Sequence, residues 1–98
     1  MESQKLVIKV GTNTLTDEQG KIDRAYLSDL IHQIALLKAR GHKVIIVTSG
    51  AIAAGLEMLG MDERPTDIPT LQATAAAGQV ALIEAYADEL AAHNLVAA

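Results

Sequence analysis

Residues 43–55 read KVIIVTSGAIAAG. Within Lys43 to Thr48, the residues Val44 to Thr48 are all β-branched, with no polar alternation. Such a run predicts a strand buried on both faces, as in a parallel sheet. Ser49-Gly50 follows at once, and the small residues of AIAAGLEMLG then predict a helix ending near Gly60. A strand that passes through a serine and a glycine straight into a helix is half of a βαβ crossover. The other half lies upstream. LVIKVGTNTLT, Leu6 to Thr16, has the same design, with a strand over Lys5 to Val10 that Gly11 to Asn13 bring to an end.

The segments between and after these strands fill in the order. TDEQGK, Thr16 to Lys21, is a polar turn in which Gly20 can take positive φ. Asp23 is placed to cap a helix from Arg24 to about Arg40. Leu27, Leu30, Ile31, Ile34 and Leu37 form its apolar stripe. Gly41 closes it, and Lys38 and Arg40 complement the helix dipole in the last turn. MDERPTDIP, Met61 to Pro69, reads as a charged loop. A helix is predicted from Thr70 to Ala77, interrupted by Gly78 and resumed from Gln79 to about His93 with Leu82, Ile83, Tyr86 and Leu90. NLVAA, Asn94 to Ala98, reads as the first residues of a third strand. The expected order is β-α-β-α-α-β. This is an α/β chain with a mainly parallel sheet and helices on both faces.

Composition bounds the function. The 98 residues suffice for one small domain, and half of them are apolar, which excludes a disordered chain. A formal net charge of −4 argues against a nucleic-acid surface, which needs a basic face. There is no cysteine, hence no disulfide framework and no thiolate metal site. No apolar run approaches the roughly 20 residues that span a bilayer, and MESQKLVIKV carries no signal-peptide pattern. These features point to a cytoplasmic protein with no membrane partner. His32, His42 and His93 are scattered without ligand spacing, so no metal site is expected.

In open parallel sheets, ligands bind beyond the carboxyl ends of the strands. Both strands here end in glycine and small hydroxyl residues. Glycine lets backbone N–H groups approach an anion, and a helix start adds its positive dipole. Lys9 stands two residues before Gly11, and a lysine in an apolar run is costly unless something negative meets it. Together these elements meet the needs of a phosphate-handling site. Each also has a plain reading: Gly11 as a turn, Lys9 as an edge lysine reaching water, Ser49 as a helix cap. Neither GxxxxGK[ST] nor GxGxxG occurs, so the site is not a P-loop and not a dinucleotide fingerprint.

LVIKVGTNTLT, followed after one amphipathic helix by KVIIVTSGAIAAG and later by TLQATAAAGQ (Thr70 to Gln79), resembles the amino acid kinase family. The resemblance covers nearly the whole chain. It implies a three-layer αβα sandwich around a mainly parallel sheet, of which residues 1–98 would be the N-terminal part. The rest of that domain, and the PUA domain that many such enzymes carry, would lie outside it. Within the family the chain is similar to members that transfer the γ-phosphoryl group of ATP to the side-chain carboxylate of L-glutamate, the first step of proline biosynthesis. Magnesium would accompany the nucleotide. By that resemblance Lys9 is the catalytic lysine, and Lys9, Gly11, Thr12 and Gly50 contact the phosphoryl group. Ser49, Gly50 and Ala51 bind glutamate. Feedback inhibition by proline and assembly into homo-oligomers are implied as well. A different acceptor within the family, or a non-catalytic phosphate- or nucleotide-binding chain, are the other readings. The 98 residues alone are expected to lack kinase activity.

Overall fold

A computed structural model describes residues 2–97. Strand β1 (Lys5–Val10) leads into a single helical turn, α1 (Thr12–Leu15), and then into α2 (Arg24–Ala39). Strand β2 (Lys43–Thr48), α3 (Ala51–Leu59) and α4 (Ile68–Ala91) follow. The two strands pair in parallel, with Lys5 opposite Lys43 and Val10 opposite Thr48. The α/β class and the parallel pairing are therefore as the sequence predicts.

Helix α2 shows how local chemistry sets its limits. The Asp23 carboxylate accepts the Tyr26 N–H at 3.0 Å and so occupies one of the free amides of the first turn. At the other end Gly41 takes φ +89°. There Gly41 N–H donates to Lys38 O and His42 N–H to Leu37 O, the paired bonds of a Schellman motif. From the predicted stripe Leu27, Ile31 and Ile34 are buried, and Leu30 packs against them.

Three expectations are corrected. Gly78 does not interrupt a helix, because α4 runs unbroken through it. Its role is contact: a Cβ there would overlap the carbonyl oxygen of Ala51 on α3, and would stand 2.5 Å from Gly55 N. A Cβ on Gly55 would in turn overlap the Thr74 carbonyl oxygen of α4. Ala51 and Gly55 face Thr74 and Gly78, small residues four apart on each helix. This lets the two backbones touch, and α3 with α4 is the most extensively packed pair in the chain.

No strand forms over residues 94–97, and Ala98 lies outside the described residues. Asn94 takes a left-handed φ of 59°. Leu95 N–H then donates to Leu90 O, and the Leu95 side chain folds back onto the core. Helix capping takes the residues for which the sequence predicts a strand.

The strands are covered on one face only among the described residues. Ile8, Val10, Val44 and Ile46 join the core with α2 and α4, whereas Val7, Ile45 and Val47 stay 61, 56 and 49% exposed. The two-residue period of a strand sends alternate side chains to opposite faces. The described helices reach just one of them.

Tyr86 ties α4 to the end of β2. Its ring is buried, and its hydroxyl lies 2.8 Å from Thr48 Oγ1. Burial pushes the phenol above its ordinary value, against the opposing effect of the Thr48 hydrogen bond. A raised value in the folded state means that the unfolded chain ionises first. The stabilisation is complete below the ordinary tyrosine value of about 10 and declines as pH rises through the folded one. Tyr86→Phe is therefore expected to cost about 1 kcal/mol at pH 8 and to flatten the loss of stability toward pH 11. Urea midpoints of both proteins across that range test this; parallel curves would place the alkaline titration elsewhere.

Candidate functional site

The carboxyl ends of β1 and β2 lie side by side, because their register is parallel. Ser49 N–H donates to Val10 O at 2.8 Å and carries the ladder one step past β2. Beyond Val10 the chain enters Gly11, which takes an ordinary φ of −80° and begins α1. Thr14 and Leu15 N–H both return to Gly11 O at 3.1 Å. Beyond Ser49 the chain turns sharply at Gly50, with φ +114°. A side chain at Gly50 would be strained by that φ, and its Cβ would stand 3.1 Å from Leu15 Cδ2. The second loop is thus shaped against the first.

Gly50, not Ser49, is the cap of α3, and no side-chain hydrogen bond closes that helix start. The plain capping reading of Ser49 is thereby replaced: its hydroxyl enters none of the side-chain hydrogen bonds found among the described residues. Its peptide is steadied from the carbonyl side, where Thr48 Oγ1 donates to Ser49 O at 2.9 Å. First-turn amides of a helix lack intrahelical partners and carry the positive end of the dipole.

A cavity of about 620 Å³ opens at this place. Thr12, Ser49, Gly50 and Ala51 line it together, as the sequence predicts for loops meeting at one sheet edge. Gly11 and Lys9 are not in its wall. Gly11 instead serves as the start of α1. Lys9 is exposed, on the uncovered face of the sheet, opposite Val47. It stands one residue before Val10, whose carbonyl holds Ser49, so the root of its flexible side chain lies close behind the loops.

Sequence reasoning missed part of the wall. Asn13, Thr16 and Gly20 contribute from the segment after β1, and Arg64 from the loop between α3 and α4. Among the described residues Arg64 is the one charged residue in the lining. It sits among Asp62, Glu63 and Pro65, a context with no periodicity to reveal which way the loop folds. Glu57, on α3, braces the site from behind. Its Oε2 accepts Ile22 N–H at 3.2 Å and ties α3 to the turn that helps to close the cavity.

A smaller cavity of about 300 Å³ borders β2, Tyr86 and Leu95, and shares Thr48 with the first. The described residues contain no group of three or more His, Asp or Glu able to hold a metal ion. None of the described helices is long and apolar enough to cross a membrane.

What this arrangement can do is bind an anion at a built-in concavity, using amides, hydroxyls and one guanidinium. Over all 98 residues the chain is 45% identical to a protein named glutamate 5-kinase in Streptococcus suis (strain 05ZYH33), covering 27% of that protein. The same identity and coverage hold for the glutamate 5-kinase of Streptococcus pneumoniae (strain Hungary19A-6). Identity is 43%, again over 27% of the relative, for that of Bacillus cereus (strain ATCC 10987 / NRS 248). The chain thus spans about a quarter of the length of the curated relatives it matches. The pattern of the amino acid kinase family matches residues 4–98, with both glycine loops inside the match, and the chain belongs to that family.

Proposed function

We propose that these residues form the N-terminal part of a glutamate 5-kinase domain, which transfers the γ-phosphoryl group of ATP to the side-chain carboxylate of L-glutamate. The observation that carries this reading is the convergence of two strand-end loops, with the uncapped start of α3, on one cavity. The relatives' names supply the acceptor. A carboxylate oxygen attacks the γ-phosphorus as the bond to ADP breaks, and the products are glutamyl 5-phosphate and ADP. The carboxylate is already ionised at pH 7, so no general base is needed. The protein's contribution is positioning and fixed positive charge.

In this reading Thr12 and Gly50 present donors to the phosphoryl group, with Gly11 shaping the first loop and Lys9 reaching over it. Ser49, Gly50 and Ala51 hold glutamate. Among the described residues no carboxylate lines the cavity, and its only oxygen side-chain donors to a magnesium ion would be the hydroxyls and the Asn13 amide. An ion accompanying ATP would be held chiefly by the phosphates, with charged ligands supplied from outside this wall. A place in proline biosynthesis, cytoplasmic location, inhibition by proline and homo-oligomeric assembly belong to the same proposal.

The test is a chimera in which residues 1–98 replace the matched segment of the S. suis relative, with the 98-residue chain alone as the expected inactive control. The chimera should release ADP in a glutamate-dependent way. Ser49→Ala in it should raise the KM for glutamate about 2- to 10-fold, the effect of one lost hydrogen bond, and leave the KM for ATP nearly unchanged. Equal effects on both substrates, together with a lower Tm, would assign Ser49 a structural role. Glutamate-independent ADP release would point to another acceptor.

A further inference from the structure

We infer that Arg64 is a substrate-specificity residue that receives the α-carboxylate of the amino-acid substrate; the inference rests on the glutamate kinase reading above. The cavity is chemically uneven. At the strand ends its wall consists of hydroxyls, Gly50 and the free amides of α3. Along α3 and α4 it turns apolar, at Leu56 and Ala75, and there Arg64 brings in the wall's single charge from the intervening loop. A substrate held at the amides by one anionic group therefore meets, past an apolar stretch, a guanidinium. Glutamate has that form, with two carboxylates separated by a methylene chain. A guanidinium offers planar paired donors that match a carboxylate, and it keeps its charge at any physiological pH.

Two observations keep Arg64 available. None of the side-chain hydrogen bonds among the described residues uses it. Among the described residues no acidic side chain shares the cavity wall to compete for it. The flanking Asp62 and Glu63 are exposed and lie outside that wall. In a chain of net charge −4, a substrate with two carboxylates gains selectively from one exposed cation at the cavity wall.

The experiment is an NMR titration of the chimera described above, in which residues 1–98 replace the matched segment of the S. suis relative, following the Arg64 side-chain Nε–H and the Ser49 and Gly50 amides. Four probes are added separately: L-glutamate, L-glutamine, γ-aminobutyrate and inorganic phosphate. Glutamine keeps the α-carboxylate, γ-aminobutyrate lacks it, and phosphate reports the phosphoryl subsite. Arg64 should shift with glutamate and glutamine but not with γ-aminobutyrate. Arg64→Ala should weaken glutamate about 10-fold or more, Arg64→Lys less, and neither should change the response to γ-aminobutyrate. If phosphate moves Arg64 as strongly as glutamate does, the residue serves the phosphoryl group and the inference fails. If glutamate moves Ser49 and Gly50 but leaves Arg64 still, the inference fails while the proposed function stands. If glutamate moves none of them, both fail.

Discussion

Gly78→Ala is expected to destabilise the chain by about 3 kcal/mol or more, although alanine is the better helix former. In an unhindered helix the change would gain about 1 kcal/mol. Here the new Cβ meets backbone: it would overlap the Ala51 carbonyl oxygen and crowd Gly55 N at 2.5 Å. Backbone cannot turn aside as a flexible side chain can, so α3 and α4 must move apart. Their separation strips contact from Ala54, Thr74 and Leu82, all buried. Overpacking of even a yielding core costs about 1–3 kcal/mol. A chain of this size has roughly 5–15 kcal/mol in all, so the loss is a large share. Thermal unfolding should show it as a fall in Tm of roughly 12–24 °C. Gly11→Ala is the control, since Gly11 has an ordinary φ and nothing within 4 Å of the added carbon. A Tm that rose in Gly78→Ala would mean that propensity governs and that the helices are not in contact at that point.

Lys9→Met should have the largest effect on chemistry. In the chimera carrying these 98 residues, kcat is expected to fall about 100-fold or more, with little change in either KM. Charge accumulates on the transferring group as it leaves ADP, so a cation placed there contributes most in the transition state. Removing one such fixed donor typically costs about 3–4 kcal/mol of barrier. Methionine keeps the length and the apolar stem, which separates the charge from the packing. The prediction runs against the bare appearance of the residue, which is exposed and stands outside the cavity wall. It rests on where β1 ends: Val10 O holds Ser49, and Lys9 is the residue before it. A near-normal kcat would identify Lys9 as a lysine that reaches water from an edge strand.

The two substitutions divide along the line between what a sequence announces and what it conceals. Helix α2 was legible from end to end, because the Asp23 cap, the stripe Leu27-Ile31-Ile34 and the Gly41 stop act on residues within a few positions of themselves. The strand-glycine-helix passage at Thr48 to Ala51 was legible for the same reason, since a sharp turn into a helix needs a residue able to take φ +114°. So was the parallel order of the strands, which follows from the helix between them.

Other features depended on partners far away in the chain. Gly78 has the local signature of a helix breaker, and only Ala51, on the preceding helix, makes it a point of contact. The face of β1 and β2 that carries Val7, Ile45 and Val47 has the same apolar character as its opposite, and only the placement of α2 and α4 determines which is covered. Leu95 has strand character by itself and becomes the closing residue of α4 because Asn94 turns it back onto the core. At the site, the sequence by itself determined that loops at Gly11 and Gly50 would meet, because parallel neighbours end at the same edge. Tertiary structure alone decided that Arg64 joins their cavity while Lys9 stands behind it: the path of a loop and the facing of a strand are set by packing against distant residues, and packing leaves no periodic trace in the chain.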